Sequence, residues 1–368
     1  DPPGGTEVYV KTLCDALLNH GVQVTVAAPA KESGLYEHQG LRVCRFKISE
    51  NIGLSELYGD GDGVASKSFA EILDKEQPDL VHMHAFTPAV SLHLIKESKK
   101  RGIRTIFSYH TPTVSCPQGS LLRWGKDVCD GRLDVDRCSR CTLHGLGLPR
   151  ILADFLGKVP VALGQAVENK NLTGSFWTVI RMRQLISQRH QAVKELLGET
   201  DSIVAVCDWV RRLLILNGVS TDKIVLSRQG LPEGARADSN AVKTSSSDLR
   251  VVYVGRIDPV KGIDTLIKAI RQSPNLAVSL AIYGVVQGDS NRKYFDKLKK
   301  MALGDRRIVF LKPVASEQVI DLLKQHDVLA VPSRWLETGP LVVLEAFAAG
   351  IPVLGSNLGG IAELVTDG

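Results

Sequence analysis

Val331-Pro-Ser-Arg-Trp-Leu-Glu337-Thr-Gly-Pro-Leu-Val-Val-Leu-Glu345-Ala-Phe-Ala-Ala-Gly350-Ile-Pro352 reads as the end of a strand, a turn, an apolar helix and the entry to a further strand. Two glutamates are separated by seven intervening residues across that strand-to-helix turn. Glu337 lies in the turn and Glu345 just over two helical turns later, so both can point toward the strand's carboxyl end, where open α/β sheets bind ligands. Between them, the N–H groups of Gly339, Leu341 and Val342, on either side of Pro340, open the helix and can receive phosphate oxygens. A carboxylate that accepts two O–H bonds suits a ribose diol. That makes Glu345 the ribose clamp and leaves Glu337 nearer a sugar. The plain alternative is one surface glutamate and one salt-bridged at a helix start.

Working back toward the N-terminus, strands and helices alternate at regular spacing. Arg250–Val254, Val278–Tyr283, Ile308–Leu311, Val328–Val331 and Pro352–Leu354 read as strands. Ile263–Ile270, Tyr294–Met301, Glu317–Lys324 and Leu341–Ala349 read as the helices between them. Repeated strand–helix–strand units imply a parallel sheet wrapped by helices. The polar stretch Ala241–Asp248 is the linker candidate, which places one domain at about 1–246 and a second at 247–368. The first domain repeats the pattern. Glu7–His20, Phe69–Leu73, Pro88–Lys100 and Ser175–Leu197 are helical; Val22–Ala28, Leu41–Phe46, Leu80–His84, Arg104–Ser108 and Ser202–Val206 are strands. From Thr111 to about Asn171 the alternation stops, and an insert at about 113–145 carries a cluster of cysteines.

Two further motifs sit at strand or helix ends. Gly255-Arg256-Ile-Asp-Pro-Val-Lys261-Gly262 directly follows a strand. Its glycine lets the backbone approach a ligand, and Arg256 and Lys261 place two cations where a diphosphate leaving group would sit. Pro3-Gly4-Gly5-Thr6-Glu7 opens the first helix, and a diglycine before a helix N-terminus can cradle phosphate, although a tight turn has the same appearance.

Together and in this order, these motifs resemble the group 1 glycosyltransferases of family 4, which have the GT-B fold. The resemblance covers almost the whole chain and is strongest from Val251 to Val365, including Gly359-Gly360-Ile-Ala-Glu363. It implies an α/β protein of two Rossmann-like, doubly wound domains facing across a cleft, the first for the acceptor and the second for the nucleotide sugar. It implies that Gly4 and Gly5 lie near the donor phosphates and that Arg256 and Lys261 hold the diphosphate. Glu345 would hold the ribose, Glu337 the donor sugar, and His110 in Ser108-Tyr109-His110 would face the reacting sugar. His82 and His84 could also reach the cleft. Members retain anomeric configuration without a catalytic metal. The chain departs from the family in lacking a strand before Gly4 and a closing C-terminal helix, so it reads as a fragment, and Arg228-Gln229-Gly230 stands where many members have Pro-Asn-Gly. A nucleotide-sugar epimerase, or a protein that binds a nucleotide sugar without turnover, would share the architecture.

Composition bounds the rest. With 44% apolar and 23% charged residues, the balance is that of a globular protein, and a formal charge of +5 over 368 residues lacks the density of a nucleic-acid binder. It suits an anionic small molecule or a loose approach to an acidic membrane face. With no leader in view, the expectation is a cytoplasmic protein, with room for peripheral contact at the inner membrane face. The region Ile151–Ala166 has Leu152, Phe155, Leu156 and Val159 on one helical face, with Arg150 and Lys158 nearby, and could meet a lipid surface or a lipid-linked acceptor; packing against the protein's own core is the alternative. Seven cysteines cannot all pair internally. Cys116, Cys129, Cys138 and Cys141, ending in a Cys-x-x-Cys, suit a structural zinc site; two disulfides or free thiols are the alternatives.

Overall fold

The computed structural model describes residues 4–232, 235 and 248–367. They form two compact units, Leu13–Ser227 and a second that joins Arg228–Gly368 to the first twelve residues, so far as these are described. The linker candidate falls outside the described residues except for Asp248, as does the expected boundary between residues 246 and 247.

In the first unit, β1 (Thr25–Ala30) pairs in parallel with β3 (Leu41–Lys47), and β2 (Gly34–His38) pairs antiparallel to β3. A second, all-parallel sheet runs β4 (Leu80–Met83), β5 (Arg104–Tyr109), β8 (Ser202–Ala205), β9 (Ile224–Leu226). The two-residue strands β6 (Leu122–Arg123) and β7 (Asp127–Val128) form a hairpin in the insert. The helices are α1 (Gly5–Asn19), which starts in the other unit, α2 (Gly63–Glu76), α3 (Leu92–Lys100), α4 (Val135–Gly145), α5 (Arg150–Leu156), α6 (Val161–Asn169), α7 (Ser175–Glu199) and α8 (Asp208–Leu216). The expected apolar helical face across Ile151–Ala166 is therefore divided. Pro160 brings no N–H and fixes its own φ, so it starts α6 and cannot continue α5. Val159 lies between the two helices, and Leu156 turns onto a core of Leu143, Ala153, Met182 and Ile186.

The second unit holds β10 (Leu249–Arg256), β11 (Val278–Val285), β12 (Ile308–Leu311), β13 (Val328–Val331) and β14 (Val353–Gly355), all parallel, in the spatial order β12-β11-β10-β13-β14. Its helices are α9 (Ile263–Gln272), α10 (Gly288–Ala302), α11 (Val319–Lys324), α12 (Leu341–Ala348) and α13 (Gly359–Leu364). Strand alternation explains why both faces need cover. Val251, Tyr253, Leu280 and Ile282 pack one way, against Ile263 and Ile267 of α9 and Leu298 of α10. Val252, Leu329 and Val331 pack the other way, against Val343 and Ala346 of α12 and Ile361 of α13. Arg250 clamps Asp327 with Nε and Nη2, joining the start of β10 to the approach to β13. Strand order reverses between these two strands, so the loops leaving them diverge around a crevice, the usual ligand position in such sheets. Both charge-bearing motifs are those two loops.

Candidate functional site

The loop after β10 is drawn tightly against the loop after β13. Tyr253, buried in the strand, donates its hydroxyl to the Arg256 carbonyl at 2.6 Å and so fixes the turn at Gly255, whose φ is +153°. Asp258 accepts the Val260 amide, and Arg334 returns its own amide to the Val260 carbonyl at 2.7 Å. Gly262 sits at φ +71°, and a Cβ there would lie 2.0 Å from the Pro332 carbonyl oxygen. Only glycine allows that approach. The Arg334 guanidinium then bridges to Asp264 at 2.8 Å and Thr265 at the start of α9.

This closure brings Lys261 and Glu337 together. The Lys261 ammonium donates to Glu337 Oε1 at 2.6 Å, the Ser333 hydroxyl donates to the same oxygen at 2.6 Å, and the ammonium lies 5.3 Å from the centre of the Trp335 ring. Glu337 is only 6% exposed. Burial pushes its carboxyl up, but the Lys261 charge and hydrogen bond, with Ser333, outweigh this and hold it below the ordinary glutamate value. Arg256 projects from the same loop into solvent, and its side chain has no ion pair among the described residues. Ser333 and Trp335 were not singled out by sequence. Their signal was present in Ser333-Arg-Trp, but a polar turn does not reveal which hydroxyl faces inward.

The turn then delivers the chain to the N-terminus of α12, with Gly339 at φ +113° and Pro340 leading into Leu341 and Val342. Val343 is the first amide to turn back, onto the Pro340 carbonyl. Gly359 and Gly360 press onto this turn from the start of α13. The Gly360 amide donates to the Glu337 carbonyl at 2.6 Å, and a Cβ on Gly360 would lie 2.5 Å from the Gly339 nitrogen. The diglycine thus backs the turn that holds Glu337 and opens α12. Glu345 lies on α12, half-buried, and burial raises its carboxyl to about 7. A half-desolvated carboxylate of this kind is a ready acceptor for O–H donors.

Gly4 and Gly5 stand at the N-terminus of α1, within the stretch that groups with this unit, and Glu7 fills the space beside Gly4. The other sequence-derived candidates belong to the first unit. His110 follows β5, is 5% exposed, and its Nε2 lies 3.0 Å from His84 Nδ1, one of the two donating. The His82 and His84 rings are 4.1 Å apart, and His82 Nε2 pairs with Ser108 Oγ at 2.8 Å. Burial pushes His82 and His110 down to about 4, and burial plus its two neighbours takes His84 to about 2, so all three imidazoles are neutral at neutral pH. Cys116, Cys129, Cys138 and Cys141 are free thiols lining one small cavity. Among the described residues no three His, Cys, Asp or Glu side chains are already disposed to hold a metal, so the expected zinc geometry is not preformed. No helix of the described residues is long and apolar enough to cross a membrane.

The sequence profile of glycosyl transferases group 1 matches residues 236–368, and that of Glycosyltransferase Family 4 matches residues 3–138. A D-inositol 3-phosphate glycosyltransferase of Nocardia farcinica is 33% identical over 189 residues, covering 48% of this chain and 42% of the relative. Its counterpart in Mycolicibacterium smegmatis is 30% identical over 186 residues, with the same 48% and 42% covered. The matched stretch spans less than half the length of these relatives. Among solved structures, sucrose-phosphate synthase from Thermosynechococcus elongatus superposes with a TM-score of 0.62 at 19% identity, over 97% of this chain and 77% of that one. Anabaena HepE in complex with UDP-glucose gives 0.59 at 16% identity, over 100% and 82%. At these identities the structural likeness establishes the fold, a pair of Rossmann-like units of GT-B type.

Proposed function

This chain belongs to the group 1 glycosyltransferases of family 4, and from that premise we propose that it transfers a sugar from a nucleoside diphosphate sugar to an acceptor hydroxyl, with retention at the anomeric carbon. The observation that carries the reading is the locking of the two βα loops at the switch point of the second unit. There Arg256, Lys261, Glu337 and the N-terminus of α12 share one sheet edge, with Glu345 on the helix behind. Arg256, Lys261 and the amides around Gly339, Pro340, Leu341 and Val342 receive the diphosphate, and Gly4–Gly5 add amides to it. As the sugar leaves, charge grows on the phosphate, and fixed donors aimed at that charge lower the barrier. Glu345 accepts the ribose hydroxyls.

Lys261 is paired with Glu337. An incoming diphosphate competes for the ammonium, and Glu337 is then able to accept hydroxyls of the donor sugar. A carboxylate that accepts the Ser333 hydroxyl and hydroxyls of the donor sugar is a poor nucleophile, which favours attack on the same face over a covalent intermediate. The route asks for no metal. In the first unit, the neutral His110 imidazole offers a hydrogen bond rather than a proton. We assign that unit the acceptor, a sugar or lipid-linked sugar of a cell-surface polysaccharide or glycoconjugate, met from the cytoplasm at the inner membrane face. The support for lipid contact is α5, where Ile151 is 84% and Phe155 75% exposed, between Arg150 and Lys158.

Calorimetric titration with a panel of nucleotide sugars, followed by NMR of the product, tests the proposal. The expected result is one tightly bound donor, turnover only with acceptor, and a retained anomeric centre. Donor conversion without acceptor would make the chain an epimerase, and binding without any turnover would make it a sensor. An inverted product would rule out the same-face route.

A further inference from the structure

We propose that Cys116, Cys129, Cys138 and Cys141 bind one zinc ion, which clasps the insert to itself. The four thiols are brought to the wall of a single cavity of about 30 Å³ by three different pieces of chain. Cys116 ends a turn whose amide closes on the Pro112 carbonyl at 2.8 Å. Cys129 leaves the β6–β7 hairpin, with its amide on the Leu121 carbonyl at 2.8 Å. Cys138 and Cys141 are i and i+3 on α4, so they share a face in the first two turns of that helix, where the macrodipole favours negative charge. Residues up to 25 positions apart in sequence do not line one small cavity by chance of local geometry.

The donor set selects the metal. No histidine or carboxylate lines the cavity, and four sulfurs favour zinc over the hard cations. Sulfur-directed N–H groups are already in place. Trp124 N–H points at Cys141 Sγ at 3.4 Å, Gln118 Nε2 at the same sulfur at 3.2 Å, and the Gly131 amide at Cys129. A metal-bound thiolate needs such donors around it, whereas a thiol buried as a small hydrophobe does not. None of the four is in a disulfide.

The insert is held to the rest of its unit through α4, where Leu143 packs with Met182 and Ile186, but its hairpin strands are only two residues long, and a metal clasp would tie that hairpin to α4. Since no three ligands are preformed, binding requires the thiols to rotate inward around the ion. Four thiol protons pass to solvent, and the resulting zinc tetrathiolate carries two net negative charges, which Arg123 and Arg137 of the same wall face. No oxidation or reduction is involved. The clasp is independent of the donor site, so this proposal stands or falls separately from the proposed transfer.

The test uses the whole chain, purified under reducing conditions without chelator. Elemental analysis is expected to find one zinc per chain, lost in the Cys138→Ser/Cys141→Ser variant. Because that variant can fail to fold, the wild-type protein is also stripped and reloaded with cobalt(II), which should give the intense near-ultraviolet thiolate-to-cobalt band and the visible bands of tetrahedral geometry. Stripping should lower the melting temperature, and zinc should restore it. Wild-type protein that takes up neither zinc nor cobalt while its four thiols react freely, or that is isolated with two disulfides among them, overturns the proposal. Zinc retained in full by the double variant does the same.

Discussion

Lys261 and Glu337 form a pair whose partners cannot be removed one at a time. Glu337 is buried, so Lys261→Ala leaves a carboxylate stranded, and breaking such a pair costs about 3–5 kcal/mol. Urea unfolding of Lys261→Ala should show a loss of that order, and Lys261→Ala/Glu337→Gln should recover most of it. Additive losses in the double variant would mean that the pair does not exist in solution. Both variants should lose turnover, since the diphosphate loses a charge-assisted donor in each. Glu345 behaves oppositely. Its folded value is raised to about 7, above the ordinary 4.5, so the native state holds a proton that the unfolded chain gives up, and stability falls as pH rises from about 4.5 to 7. Glu345→Gln removes that penalty and should stabilise the ligand-free protein by about 1–2 kcal/mol at pH 8, after discounting for partial solvation, with no gain at pH 4.5. If the ribose diol binds the ionised form, donor affinity should climb by up to about tenfold per pH unit toward pH 7 and then level. A nucleotide sugar is the right probe because its diphosphate diester does not titrate there. A pH-flat wild-type affinity would remove Glu345 from the ribose.

At the scale of elements, the donor turn depends on what backs it. Gly360→Ala places a methyl 2.5 Å from the Gly339 nitrogen, which must push the start of α12 away from its position. Overpacking of this kind costs about 1–3 kcal/mol, and donor affinity should fall at least tenfold in calorimetry. Gly198→Ala is the control: it lies within α7 with open space around it, and should stabilise slightly without touching donor affinity. Unchanged donor affinity in Gly360→Ala would mean that α13 does not support the site. The five strands of the second unit were legible because each is a short apolar run between helices of regular period. The antiparallel β2 was not, because all five of its residues are exposed and no burial pattern marks it. The region at residues 151–166 was read as one apolar face, and Pro160 divides it. That changes the membrane experiment, since Leu156 serves the core while Ile151 and Phe155 do not. Co-sedimentation with vesicles containing acidic lipid should be lost in Ile151→Ser/Phe155→Ser, and equal sedimentation of the two proteins would exclude α5 as a lipid contact.

At the scale of the whole molecule, each unit carries its own chemical handle, and the two can be read separately. The histidines of the first unit show what the sequence left hidden, which is their contact with one another. The register of β4 on β5 pairs Leu80 with Arg104 and Met83 with Phe107, and so carries the ends of both strands, with His84 and His110, to one place. Strand periodicity reports which face a residue is on, not which residue of a neighbouring strand it meets. The three histidines have folded values near 4, 2 and 4, below the 6.5 of an unfolded chain. Between those values the unfolded state binds more protons, so the first unit should lose stability as pH falls from about 6.5 toward 4. In the proposed function the donor binds the other unit and stabilises it by mass action. Hydrogen-exchange mass spectrometry resolves both effects on one protein. A saturating nucleotide sugar at pH 7 should slow exchange in the segments 249–262 and 331–363. Moving the ligand-free protein from pH 7 to pH 5, after correction for intrinsic exchange rates, should speed exchange in segments 80–110 and 200–206 and spare the strands of the second unit. His84→Gln should reduce that acid response, because one of the three groups that must charge is gone. Donor protection confined to segments 80–110 would place the nucleotide sugar in the wrong unit, and an acid response confined to residues 249–363 would show that the histidine cluster does not titrate as its burial requires.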